Sequence, residues 1–375
     1  MSREEDSQLK KPPWNQAGIW TGCDLFALLR ILKDNRFQVS PSCWLECGID
    51  LAIASLGISF RLANSIFCSR GIKKSELPAD PIIVIGHWRT GTTLLHELLS
   101  LDPRHTCPTT FQCFLPTHFP FSERLLKGWS RFTLPATRPF DSMSMSWELP
   151  QEDEFALLNM GVPSPYATIA FPNRPPQNQE YLTLDGLSER ERRRWRRGLI
   201  TFLKQVVYKN PGKPVIKSPT HTFRLPTLIE MFPNARFINV VRNPVHVFLS
   251  TLRLWKSFYA TNGYQKPRFE GLEGYVLATF SHMHERLEAT RRLVPEGHLI
   301  DVRFEELVAD IPGQMKALYE QLDLGEFRNA SDAISEYVAQ RADYQKREYE
   351  PTDEVKQLVC DRWRPYFKRY GYDCR

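Results

Sequence analysis

The chain has 375 residues and a formal charge of +6, with 42% hydrophobic and 25% charged residues. That is an ordinary globular composition, able to bury a sizeable core and long for one domain. The modest positive balance admits an anionic ligand or an anionic membrane surface without demanding either. The opening "MSREEDSQLKKPPW" lacks the apolar core of a signal peptide, so the expected location is cytoplasmic, with peripheral membrane contact left open.

Residues 1–78 read as a helical N-terminal extension, with helices around Leu25 to Leu32 and Trp44 to Ile66. No stretch reaches the ~18 uninterrupted apolar residues of a bilayer span. "LAIASLGISF" comes nearest, between Asp50 and Arg61, and fits either a core helix or a membrane contact. After the break "SELPAD", the run "PIIVIG" (Pro81 to Gly86) fits a buried parallel strand, and "TTLLHELLSLD" has helical leucine spacing. Residues 103–178 are rich in proline and aromatics, and an irregular insert is expected over about 103–210. Such excursions suit the carboxyl ends of strands, where open α/β sheets bind substrates. The alternation then resumes, with "KPVIKS", "ARFINVVR" and "GHLIDVRF" as strands between helical segments. The fold class is therefore α/β, a three-layer parallel sheet in a domain spanning 79–375. The eight cysteines form no CxxC pair and no zinc pattern, so reduced thiols and no metal are expected.

"GHWRTGTT" (Gly86 to Thr93) spaces two glycines as a phosphate-binding loop does, but has Thr92 where a Walker lysine would stand. Amides at a helix N-terminus form an anion site with the helix dipole, and Thr90, Thr92 and Thr93 add hydroxyls. Arg89 is the substitute cation, gripping oxyanions by a fixed fork. The same pattern also fits a tight glycine turn with a threonine N-cap. A P-loop kinase or nucleotide transferase is a weaker reading. It wants the loop lysine and an acidic strand end for magnesium, whereas "FINVVRNP" supplies Arg242 and Asn243. Arg242 at that strand end and Ser250 on the next helix can converge on one phosphate, although Arg242 could equally pair with a carboxylate.

Taken together, "PIIVIGHWRTGTTLLHELLSLDP", "VIKSPTHTFRLPTLIEMFPNARFINVVRNPVHVFLS" and "LIDVRFEELVADI" resemble the sulfotransferases that use 3′-phosphoadenosine 5′-phosphosulfate (PAPS). The similarity covers about residues 80–325. The resemblance implies that Arg89, Thr90, Gly91, Thr92 and Thr93 hold the 5′-phosphosulfate and that Arg242 and Ser250 hold the 3′-phosphate. It implies Arg89 and Lys217 as the cations at the bridging oxygen, a reaction needing no metal, and a basic C-terminal loop, Lys346 and Arg347, over the donor. The family pattern fails at the general base, where a histidine two residues after the lysine is replaced by Pro219. Glu152 and Asp153 in "PQEDEFALL" are the first candidates and His221 the second, with Glu154 and His118 also available. The acidic triplet equally fits residues complementing a helix dipole.

The implied reaction moves the sulfuryl group from PAPS to a hydroxyl or amine, giving PAP. The expected acceptor is a small molecule, lipid or glycoside, with no nucleic-acid partner. The rival outside enzymology is a non-catalytic anion- or membrane-binding protein. The six arginines around Trp195 in "SERERRRWRRG" suit a solvated helix face better than a nucleic-acid surface.

Overall fold

Among the described residues, five strands carry the architecture: β1 (Ile82–Ile85), β2 (His105–Thr106), β3 (Lys213–Lys217), β4 (Arg236–Val241) and β5 (Leu299–Arg303). The computed structural model describes residues 16–130, 133–134, 145–341 and 351–374, the side chains of 127, 129 and 130 excepted. The strands order as β2-β3-β1-β4-β5, and every neighbouring pair is parallel. β1 lies in the middle because it is apolar on both faces, and all its residues are fully buried. Burying such a Val or Ile side chain contributes roughly 1.5–3 kcal/mol. On one face Ile82, Val84, Val215 and Ile238 pack with Leu95, Leu98, Met315 and Leu318 from helices Thr92–Ser100 and Ile311–Leu322. On the other, the Asn239 amide donates to the Tyr370 hydroxyl of helix Asp353–Tyr370. Behind it the rings of Phe280 and Trp363 stack 3.6 Å apart. Helices thus cover both faces, giving three layers. The connections from β1 lead to β2 at one edge and, past β3, to β4 and β5 on the other side. Open α/β sheets with such a reversal bind ligands at the carboxyl ends of the strands beside it, here around β1.

β2 corrects the reading of residues 103–178 as irregular. Two residues carry no periodicity, and the strand exists because His105 registers with Lys213 and the Lys213 amide donates to the Arg104 carbonyl at 2.9 Å. The same stretch also forms helices Thr110–Phe114, Phe119–Ser130 and Asp153–Asn159. The first of these opens on a capping box between Thr109 and Gln112.

The chain divides into two compact units, and the sheet belongs wholly to the unit of Pro78–Cys107, Gly212–Leu252 and Gly271–Arg375. In the other unit, Met1–Leu77, Pro108–Pro211 and Arg253–Glu270, the regular elements of the described residues are helices. In it, helices Leu25–Asp34 and Trp44–Phe67 are joined by an ion pair between Arg61 and Asp24. The arginine-rich stretch is the start of helix Glu189–Lys209, whose inward stripe is Trp195, Leu199, Phe202 and Val206. Arg193 and Arg197 on that helix are exposed, and Arg192 pairs with Glu189.

One cysteine expectation is overturned. Cys360 and Cys374 are disulfide-bonded, because the left-handed Gly371 (φ 66°) turns the chain back after the last helix. Cys23, Cys43, Cys47, Cys68, Cys107 and Cys113 remain thiols.

Candidate functional site

The loop after β1 is built by close approach. Gly86 has φ 137° and Gly91 φ 106°. A Cβ on Gly86 would stand 2.6 Å from the Val240 carbonyl oxygen, and one on Gly91 2.1 Å from the Phe304 ring. Neither position accepts a side chain. Arg89 also lies in the left-handed region at φ 70°, a conformation that costs a non-glycine residue about 1–3 kcal/mol and concentrates at functional sites.

Three hydroxyls hold the loop in that shape. The Thr90 hydroxyl donates to the His87 carbonyl at 2.8 Å. Thr222, in the turn Pro219–Phe223, accepts from the Gly86 amide at 2.9 Å and donates to the Gly86 carbonyl at 3.1 Å. Thr251, on helix Pro244–Asn262, donates to the Trp88 carbonyl at 3.2 Å. Gly91 itself occupies the N-cap of helix Thr92–Ser100 and no side chain caps it, so the threonine-cap alternative does not hold. The reason is conformational, since the positive φ the turn requires selects glycine there.

The cations gather on this loop. Arg89 Nε donates to Ser250 Oγ at 2.8 Å, and Arg242 Nη1 donates to the Arg89 carbonyl at 3.0 Å. The Arg242 guanidinium lies 4.5 Å from the centre of the Phe304 ring, a cation–π contact. Lys217, at the end of β3 and only 2% exposed, donates to Thr93 Oγ1 at 3.4 Å. The sequence suggests two separate oxyanion positions, one at the loop and one at Arg242 and Ser250. The structure joins them through Arg89. Arg89, Thr90, Gly91, Thr92, Thr93, Lys217, Arg242 and Ser250 all belong to the sheet unit.

His87 and His96 are held neutral. Burial pushes His87 down to about 3. Burial, and then the Lys217 ammonium, push His96 down to about 3 as well, while His96 Nε2 sits 3.1 Å from the Val215 carbonyl oxygen. His221 is fully buried in the turn Pro219–Phe223, its amide bonded to the Ser218 carbonyl.

The remaining acid–base candidates lie in the helical unit. Glu152 accepts from the Tyr166 hydroxyl at 2.6 Å, and Glu154 accepts from the Ser164 hydroxyl at 2.5 Å. Asp153 and Glu154 are fully buried in the first turn of helix Asp153–Asn159. His118 is 2.7 Å from Ser122 Oγ, and burial lowers it to about 4. Lys346 and Arg347 lie outside the described residues.

Sequence reasoning missed the supports of the cluster. Thr222, Thr251, Phe304 and Tyr366, whose hydroxyl accepts from the Arg242 amide at 3.2 Å, touch the site from distant parts of the chain. Only Thr222, three residues after Pro219 in a hydroxyl-rich stretch, left any trace in the pattern. Among the described residues, no group of three or more His, Cys, Asp or Glu could hold a metal ion.

Residues 81–329, loop and cation cluster included, match the model of the sulfotransferase family. The chain belongs to that family. This sulfotransferase is 40% identical over 357 residues to the ω-hydroxy-β-dihydromenaquinone-9 sulfotransferases Stf3 of Mycobacterium bovis and Mycobacterium tuberculosis, covering 95% of its own length and 92% of theirs. Its fold is shared with the crystal structure of sulfotransferase STF9 from Mycobacterium avium, at a TM-score of 0.67 and 18% identity, over 96% of this chain and 93% of that one. STF1 from Mycobacterium tuberculosis follows at 0.59 and 18%, over 90% of each chain. The sulfotransferase therefore moves a sulfuryl group to an acceptor, and membership sets the kinase reading aside.

Proposed function

We propose that this sulfotransferase takes the sulfuryl group from PAPS and passes it to a hydroxyl on an apolar, lipid-like acceptor. The observation that carries the donor assignment is the continuous cluster from Lys217 and Thr93 to Arg89, Ser250 and Arg242. PAPS is charged at both ends, and one cluster of fixed donors suits both. Gly91, Thr92 and Thr93, with the helix amides, take the 5′-phosphosulfate. Arg242 and Ser250 take the 3′-phosphate. Arg89 and Lys217 face the bridging oxygen, where charge grows as the S–O bond to the donor phosphate breaks and a new one forms to the acceptor. Fixed cations stabilise that charge directly, so the reaction needs no metal. A carboxylate, Glu152 or Asp153, or else His221, takes the acceptor proton.

The acceptor class rests on the mycobacterial relatives, which are named for a hydroxylated menaquinone. A proline- and aromatic-rich insert fits an apolar hydroxylated compound. Thermal stabilisation by ligand tests the donor assignment. PAP at ~100 times its Kd adds about 2.7 kcal/mol to folded-state stability. PAP should raise Tm far more than ADP or ATP with magnesium, and turnover should survive EDTA. Preference for ATP with magnesium, or turnover lost to EDTA and restored by a divalent ion, overturns the donor reading. Strong PAP binding without transfer to any hydroxylated lipid overturns the acceptor reading.

A further inference from the structure

The helix Trp44–Phe67 has two unlike sides. One is held by the protein: Asp50 accepts from the Tyr264 hydroxyl at 2.8 Å, Arg61 pairs with Asp24, and Phe60 stacks on His118 at 5.3 Å. The other is open and apolar. Trp44, Leu45, Leu56, Leu62, Ile66 and Phe67 are each 62–70% exposed. The charged residues of the helix, Glu46, Asp50 and Arg61, are not among its exposed positions. The Ser55 hydroxyl is satisfied within the helix by the Leu51 carbonyl at 2.7 Å, so it asks nothing of its surroundings. Immediately after this helix, Ser69–Lys74 exposes Arg70, Lys73 and Lys74 and contains no acid.

We propose that this side of helix Trp44–Phe67 docks the protein on an anionic lipid surface, its apolar residues in the acyl boundary and Arg70, Lys73 and Lys74 against the headgroups. The helix is long and apolar enough to cross a bilayer, and its most apolar window is only 17% buried. Crossing would strip Asp50, Phe60 and Arg61 of their partners, so the helix lies along the interface, where about 36 Å of it can rest. Uncovered apolar surface on this scale marks an interaction site. Charge selects the occupant. A second copy would bring the same cations to a symmetric contact, whereas an anionic headgroup layer brings the opposite sign and attracts each basic residue near the surface.

The proposal is independent of the donor chemistry. Co-sedimentation of the full chain with vesicles tests it, using phosphatidylcholine alone or mixed with phosphatidylglycerol. The wild type should bind the mixed vesicles at least ~10-fold more tightly than the neutral ones. Leu56→Asp with Leu62→Asp, and separately Lys73→Glu with Lys74→Glu, should each weaken that binding by about 10-fold or more. The PAP-induced rise in Tm should be unchanged in both, which separates lost docking from lost folding or lost donor binding. Wild type that stays in solution with anionic vesicles, or charge-reversed variants that sediment like wild type, overturns the proposal. So does a concentration-dependent dimer that Leu56→Asp abolishes in the absence of any lipid binding.

Discussion

At the scale of single residues, His96 and His87 are two imidazoles that the fold accepts only in neutral form. Each sits near 3 in the folded chain, against about 6.5 when exposed. Their contribution to stability is therefore present above about pH 6.5 and lost progressively as pH falls toward 3, because the unfolded chain binds the extra protons. His96→Gln should make the fall of Tm with pH shallower between about 6.5 and 4. An unchanged slope would mean that His96 is not a buried neutral base. Among the carboxylates, Glu152→Gln and Asp153→Asn address the unassigned proton acceptor. At least one should cut turnover sharply, on the scale of 10²- to 10⁴-fold for a lost general base, while PAP still raises Tm. Full turnover in both variants removes these residues from the chemistry.

The loop and its helix behave as one element. Its amides, Gly91 at the N-cap and the Phe304 ring that fills the space of a Cβ form a rigid bend, so a substitution there is read by the whole element. Gly91→Ala should lower stability by about 1–3 kcal/mol from backbone strain alone and weaken PAP binding with it. Gly274→Ala is the contrast. It lies in helix Leu272–Thr290, where a new Cβ meets nothing within 4 Å. Relief of unfolded-chain entropy should stabilise that variant by about 0.4–1 kcal/mol. Thermal melts of the pair separate loop geometry from helix propensity, and equal shifts would count against the bend. Most of this element was legible in the residues themselves. Two glycines at fixed spacing after an apolar run, followed by leucines at helical spacing, specify strand, turn and helix locally. The two-residue strand His105–Thr106 was not legible, because the backbone of β3 forms it rather than any pattern of its own.

At the scale of the whole molecule, the C-terminal segment reaches the donor cluster. The last helix departs from helical geometry at Trp363, just before Pro365. Beyond that kink, the Tyr366 hydroxyl accepts from the Arg242 amide, and the Tyr372 hydroxyl donates to Glu305 at 2.9 Å. Glu305 also accepts from the Asn243 amide, so the tail grips the turn that carries Arg242. The Cys360–Cys374 bridge closes this segment. A loop of ~15 residues closed by a disulfide is worth about 3 kcal/mol. Reductant should lower the Tm of the wild type and leave that of Cys360→Ser unmoved, and the variant should bind PAP more weakly. A wild-type Tm insensitive to reductant would show that the bridge does not hold the tail.

The sequence alone determined what short-range chemistry dictates. It fixed the parallel α/β alternation, the glycine loop with its hydroxyls and arginine, and the likeness to sulfotransferases, because these depend on residue order over a few turns of chain. Tertiary structure decided what depends on residues meeting from afar. It joined Arg89 to Ser250, set Thr222 against Gly86, paired Cys360 with Cys374 and left one side of helix Trp44–Phe67 uncovered. Partners separated by 14 to 161 residues leave no local period to read, and burial is a property of the packed chain rather than of any segment.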